Sequence, residues 1–412
     1  MMINKNIRPG EGLADPHALV VGDRVYIFCG SDKSHKTEDT WRMDKWKIYS
    51  SDNLVDWKDE GEILPTDTYI GDLDHCWAGY ITERNGKYYF YFSNKFMDTG
   101  VVVSNSITGP FVDVKKAPVI PQDTLESRRC YDPCVFEENG VYTIFFGAGI
   151  YYCATLSEDM LSIVDKPQMI MVTDENDNQI RCSDKCTFFK HNGIYYLAYG
   201  TQYAMSDKLK GPYKFAGRFS GGGHNDVFEF KGKMYVCNEF HDTNIFFRGI
   251  RVMELNFDAN GKVVLADDDE LDIHYKKTWD FSDNDFHWFK SDMSDAKWDN
   301  GLICGADGTQ VRSPLWPGVY LEKDEMLKIE IENQSDTDEF TVEIITIDEV
   351  KGYWNSEDHQ YHKFTVKFED GKNLYQVPIK ANGTIKTFIK KITIYSEKEN
   401  ARGFYRIKKV EI

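Results

Sequence analysis

No stretch of this 412-residue sequence reaches the roughly twenty consecutive apolar residues that a membrane-spanning helix requires. No membrane partner is therefore expected. The opening residues, MMINKNIRPGEG, lack the apolar centre of a signal peptide. Cysteine is sparse and odd in number, nine residues scattered along the chain, which reads as reduced thiols and not as a disulfide framework. The N-terminus leaves export undecided, and the cysteines set a cytoplasmic expectation with an exported form as the alternative. Positive charge is also scarce: 49 Lys and Arg face 67 Asp and Glu, a formal net charge of −18. A nucleic-acid partner is excluded, because phosphate-backbone binding depends on clustered cations, and a neutral substrate suits the balance better. Long helical patterns are missing as well.

What is present is repetition. A chain of this length exceeds one ordinary core, so one large repetitive domain and one smaller domain are expected. Five copies of a strand, a glycine-bearing turn and an aromatic-rich strand recur about every 50 residues. They are ADPHALVVGDRVYIFCGSD from Ala14, WAGYITERNGKYYFYFSN from Trp77, YDPCVFEENGVYTIFFGAG from Tyr131, SDKCTFFKHNGIYYLAYGT from Ser183, and HNDVFEFKGKMYVCNEFH from His224. Their turns contain Asn-Gly, Gly-Asp or Lys-Gly pairs, which accept the positive φ of tight hairpins. A further apolar stretch follows each hairpin, predicting two more strands per copy. A lone four-stranded sheet cannot bury both faces, so radial stacking into a five-bladed β-propeller follows, over residues 1–272. Beyond Thr278 the repeat vanishes, and alternating strands such as LKIEIEN, FTVEIITI and KKITIYS predict a β-sandwich (jelly-roll-like) over 273–412. The acidic run from Ala266 to Leu271 marks the expected junction.

Aligned on their turns, the copies place Asp15, Asp132, Asp184 and His224 in one column at the start of the innermost strands, whereas the second copy offers Ala78 and Gly79. Innermost strands run along a propeller's channel, so the column converges on the axis. The third and fourth copies share a local pattern, RCYDPC and RCSDKC. Buried carboxylates without partners are costly, so a gathered set implies function or metal. A single Asp before a strand would more simply close an Asx turn.

These pieces resemble glycoside hydrolase family 43, through ADPHALVVGDRVYIF, IYSSDNLVDWKDEG, WAGYITERNGKYYFYFSN with VVVSNSITGPF, YDPCVFEENG and GGGHNDVFEFKGKMY. The resemblance implies hydrolysis of arabinofuranosyl, xylosyl or galactosyl linkages at side chains or ends of plant-type oligo- and polysaccharides, with inversion. By it, Asp15 is the general base and Asp132 orients the acid and raises its pKa. His224 lies near an optional structural calcium, and Arg248 contacts substrate. No cofactor is required for the chemistry. The family's acid is a glutamate, usually followed by Gly-Pro; Asp184 stands on that position, one methylene shorter. Tyr80, in WAGY, stands where the family has Trp-Ala-Pro-Asp, so it is expected beside the sugar. The alternative reading is a sugar-binding propeller with weakened or lost hydrolysis.

Trp77 is either a sugar-stacking platform or a blade-packing residue, and Trp41 and Trp46 are candidates for the pocket rim. Cys130, Cys134, Cys182 and Cys186 are expected to pack as small hydrophobes and not to bind zinc. Trp279, Trp288, Trp298, Trp316 and Trp354 are candidates for a carbohydrate-binding surface on the sandwich, a scaffold role being the favoured expectation.

Overall fold

The computed structural model describes residues 1–219, 222–264, 278–348 and 356–412. It divides into two compact units, one of Met1–Ser34, Trp41–Asp242 and Phe247–Leu271, the other of His35–Thr40, Thr243–Phe246 and Asp272–Ile412. The expected junction at Ala266–Leu271 and the 272/273 boundary lie outside the described residues, as does Trp354.

In the first unit the tight turns dictate the register. Asn85-Gly86, Asn139-Gly140, Asn192-Gly193 and Lys231-Gly232 each place two successive residues at positive φ, which matches the twist of a two-residue hairpin. Blade one runs Leu13–Val21, Arg24–Asp32, Met43–Ser51 and Lys58–Ile63. Blade three runs Cys134–Glu138, Val141–Phe146, Tyr152–Thr155 and Gln168–Met169. Blade four runs Cys186–His191, Ile194–Tyr199, Gln202–Ser206 and Tyr213–Arg218, with Val172–Thr173 added in parallel at its edge.

Two blades depart from the expected four consecutive strands. Blade two has three, Cys76–Arg84, Lys87–Asn94 and Asp98–Ser104, the last joined by two isolated bridges, Val103 to Val112 and Thr99 to Ile120. Blade five takes Asn225–Phe230, Lys233–Asn244 and Phe247–Glu254, and its fourth strand is Met2–Asn4 from the other end of the unit. The segment expected to supply that strand instead pairs with itself, Asn256–Phe257 against Val263–Val264.

The apolar clusters show why the blades form a ring. Phe28, Trp46 and Phe90 join blades one and two, Tyr91 and Ile144 join two and three, and Phe145 joins three and four by stacking on Phe188 at 3.7 Å between ring centroids. Tyr196 and Val236 join four and five, while Cys237 and Ile27 join five and one. Each sheet thus buries both faces against its neighbours, and the fifth interface closes the circle.

The second unit is a β-sandwich. One sheet orders Lys297–Trp298, Leu302–Gly305, Gly403–Glu411, Glu325–Ser335 and Leu374–Ile379, with Thr278–Asp280 also on the Gly403 strand. The other orders Phe289–Lys290, Val311–Arg312, Thr387–Tyr395, Glu339–Asp348 and Gln360–Lys367, with Tyr320–Leu321 on the Thr387 strand. Leu374–Ile379 alternates strictly between exposed and buried, the period-two signature of a half-buried strand. Trp279 and Trp288 belong to the core between the sheets and Trp316 is also buried, whereas Trp298 is exposed. Three of the expected surface tryptophans are thus interior residues.

Candidate active site

The column read from the sequence converges. Asp15, Asp132, Asp184 and His224 line one cavity of about 170 Å³ in the propeller, together with Arg248, Glu239, Trp41, Trp77 and Ala78.

The backbone is bent to place two of these carboxylates. Asp15 and Asp132 sit at φ of 53° and 61°, a left-handed conformation that costs a non-glycine residue roughly 1 kcal/mol or more. At Asp15 the strand register slips between Ala14 and His17, and the Asp15 N–H donates to Glu239 Oε2 at 3.0 Å. The Asp132 N–H donates to Ser93 Oγ at 2.9 Å, and Ser93 in turn donates to the Ala78 carbonyl at 2.8 Å. Blade two, which brings no charge to the column, therefore supplies the bracket for the aspartate of blade three.

Charges around Asp15 form a compact network. Arg248 makes a two-pronged contact with Asp32, Nε to Oδ2 at 3.0 Å and NH2 to Oδ1 at 2.8 Å, while NH1 reaches Glu239 at 3.0 Å and Asp15 at 3.3 Å. His224 Nδ1 lies 2.6 Å from Asp15 Oδ1, as an ion pair not aligned as a hydrogen bond. Burial alone would raise the Asp15 carboxyl, but Arg248 and His224 outweigh it and hold the group below the ordinary carboxylate range. Burial would likewise discharge His224; Asp15 and Glu239 reverse this and push it up to about 10. Asp132 makes no ion pair with any cation among the described residues. Burial pushes it up to about 7, with His224 opposing and Asp184 adding to the rise.

Asp184 differs from both. It is exposed in the cavity wall, and its carboxyl takes no hydrogen bond or ion pair from any described residue, while Tyr151 Oη fixes its backbone carbonyl at 2.7 Å. The side chain is free to meet a ligand.

Several expectations change. Tyr80 does not line the cavity: the register slips between Trp77 and Gly79, and a one-residue slip turns the following side chains to the other face. Tyr80 stacks instead on His17, ring centroids 3.5 Å apart, and His17 is locked by Asp226 at 2.6 Å. Trp46 is fully buried and donates to the Trp77 carbonyl at 2.8 Å, so Trp41, not Trp46, joins the rim. Trp77 lines the cavity with Trp41 edge-on at 6.3 Å. All nine cysteines are free and buried.

Glu239, Asp32 and Lys185 were not singled out by the sequence reading. The signal for Glu239 lies in the Lys231-Gly232 turn: Asn225 pairs with Asn238, so the next rung sets His224 opposite Glu239. Gly223 (φ 47°) lies beside that rung, where any Cβ would collide with the Glu239 carboxylate. Lys185 is buried, and its Nζ has no hydrogen-bond partner among the described residues.

Among the described residues, Asp15, His224 and Glu239 are the group whose ligand atoms lie close enough for a metal, within 4.8 Å. As arranged it suits calcium poorly. That ion takes about six to eight oxygens, whereas the group offers one imidazole nitrogen and two carboxylates that are already bonded to Arg248.

Comparison with known proteins agrees with this geometry. Residues 10–263 match the model of glycosyl hydrolases family 43. A xylosidase/arabinosidase of Bacteroides ovatus is 27% identical over 320 residues, covering 62% of this chain and 95% of its own. Among solved structures, a family 43 β-xylosidase/α-arabinofuranosidase from a compost microbial metagenome, in complex with xylotriose, is 25% identical with a TM-score of 0.57, covering 64% of this chain and 97% of that one. The arabinoxylan arabinofuranohydrolase of Bacillus subtilis, 17% identical, shares the fold across 100% of this chain and 99% of its own at a TM-score of 0.53. A five-bladed ring with acids gathered in one cavity, matched along the propeller by that family model, makes this chain a member of glycosyl hydrolase family 43, a glycosidase that hydrolyses O-glycosyl bonds.

Proposed function

We propose that the enzyme releases single arabinofuranosyl or xylosyl residues from plant-type oligosaccharides with inversion, using Asp15 as general base, Asp184 as general acid and Asp132 as the group that orients the acid. The observation that carries this reading is the shared cavity of three aspartates in three different environments. Asp15, clamped by Arg248 and His224, is ionised at every working pH and can orient a water. Its low basicity is tolerable because the transition state is oxocarbenium-like and asks little of the nucleophile. Asp132 keeps a proton up to about pH 7 beside Asp184, whose unbonded carboxyl is free to approach the leaving oxygen. That freedom offsets the missing methylene of an aspartate at this position.

The relatives' names favour pentoses. Arg248 acts here chiefly as counter-charge to Asp15, Asp32 and Glu239, the work a cation would otherwise do. No step is routed through a metal. Trp77 and Trp41 form the wall against which a sugar face packs.

A panel of arabinosyl, xylosyl and galactosyl aryl glycosides tests the assignment. Asp15→Asn is expected to lose activity by at least about a thousandfold on every leaving group. Asp184→Asn should lose most on poor leaving groups, which need protonation, and least on activated nitrophenols. Turnover that survives Asp15→Asn intact would remove the base assignment.

A further inference from the structure

A second cavity, of about 440 Å³, has no part in the hydrolytic scheme. Arg129, Arg181, Gly149, Ile150, Tyr152 and Ile180 contribute to its lining. Its two guanidiniums converge on the one residue that leaves room for them: a Cβ at Gly149 (φ 78°) would lie 2.9 Å from Arg181 Nε and 3.3 Å from an Arg129 terminal nitrogen. Arg129 is fixed by donating to the Ala148 carbonyl at 2.6 Å. Neither arginine has a carboxylate partner among the described residues, although the chain has a net charge of −18. Two neighbouring cations left without a counter-charge, beside the apolar walls of Ile150, Tyr152 and Ile180, make a receptor for an anion on an apolar body.

Its place in the fold says which anion. Arg129 and Arg181 occupy equivalent positions in the repeated RC-x-D pattern, three residues before Asp132 and Asp184. The Gly149 N–H donates to the Ser183 carbonyl at 2.7 Å, and the Cys182 N–H to the Gly149 carbonyl at 2.8 Å. Ser183 and Asp184 line the first cavity. The second cavity therefore adjoins the side from which Asp184 protonates the leaving oxygen, where the remainder of the glycan must lie.

We propose that this cavity is a leaving-group subsite for a uronic acid residue, whose carboxylate is held by Arg129 and Arg181, so that the natural substrate is an acidic glycan. The proposal rests on Asp184 marking the leaving-group side. Calorimetric titration of the Asp15→Asn protein with three probes tests it: xylotriose carrying a glucuronosyl branch, trigalacturonate, and neutral xylotriose. At least one acidic probe should bind roughly 10–100-fold tighter than the neutral one, and which one does so identifies the source of the uronate. The acidic-to-neutral ratio should fall to about one when Arg129→Gln and Arg181→Gln are added, and should shrink with rising salt. Equal affinity for acidic and neutral probes, or a preference that survives both substitutions, would overturn the subsite. So would binding of inorganic phosphate without any preference among the sugars. The ratio is read from binding and is independent of turnover. A failure here leaves the hydrolytic scheme standing, whereas a protein that cleaves no aryl glycoside yet keeps the ratio overturns that scheme and the leaving-group label with it, and leaves the uronate site itself standing.

Discussion

Asp15 and Asp132 are both buried in the same cavity wall, yet their surroundings drive them in opposite directions. Asp15 touches two cations and stays charged; Asp132 pairs with none among the described residues and stays protonated to about pH 7. For Asp132 the folded-state value lies above the roughly 3.9 of an unfolded chain, so the folded protein binds the extra proton. Stability is therefore unaffected below pH 4, declines between about pH 4 and 7, and carries the whole penalty above 7. Asp132→Asn should raise the unfolding free energy by about 1–3 kcal/mol at pH 8 and by almost nothing at pH 4, while lowering kcat. Denaturant titration at the two pH values checks this; a destabilised variant at pH 8 would show that Asp132 is not strained by its burial. Arg248 gives the converse case. Replacing it with Met strips Asp15, Asp32 and Glu239 of their shared counter-charge and should cost about 3–5 kcal/mol. Arg248→Lys should recover only part of that, because an ammonium cannot reproduce the two-pronged contact with Asp32.

At the scale of strands, what was legible in the sequence was whatever local chemistry writes down. Asn-Gly and Lys-Gly pairs announce the hairpins, and their spacing aligns Asp15, Asp132, Asp184 and His224 in the sequence alone. What was illegible depends on distant partners or on bulges. The strand Met2–Asn4 has no local sign of pairing with residues near Met253, and Glu239 is found only by carrying the register one rung past Asn238. Tyr80 was misplaced because the slip between Trp77 and Gly79 leaves no mark in the alternation of residues around it. Its revised position can be checked: Tyr80→Phe, which keeps the stack on His17 and removes the hydroxyl near Cys134, should change KM by less than about twofold and cost about 1 kcal/mol in stability. A tenfold rise in KM without loss of stability would return Tyr80 to the sugar site.

At the scale of the molecule, the ring is what turns scattered sequence into a site. Five apolar interfaces fix five sheets about one axis, and side chains from Asp15 to Arg248 meet there although 233 residues separate them. The rigidity of that arrangement lets a strained backbone hold Asp15 and Asp132 in left-handed geometry. It also leaves Asp184, on the cavity wall, free to move. In the proposed mechanism Asp15 and Asp184 act from opposite faces of one sugar ring, with room for water at the base. Inverting enzymes keep these carboxyls about 6.5–9.5 Å apart, and retaining enzymes about 5–5.5 Å. Proton NMR of the first sugar released from an aryl α-arabinofuranoside or β-xyloside, recorded before mutarotation, reads the outcome directly. The initial product is expected to have the anomeric configuration opposite to the substrate; an initial product of retained configuration would contradict the assignment of Asp15 and Asp184.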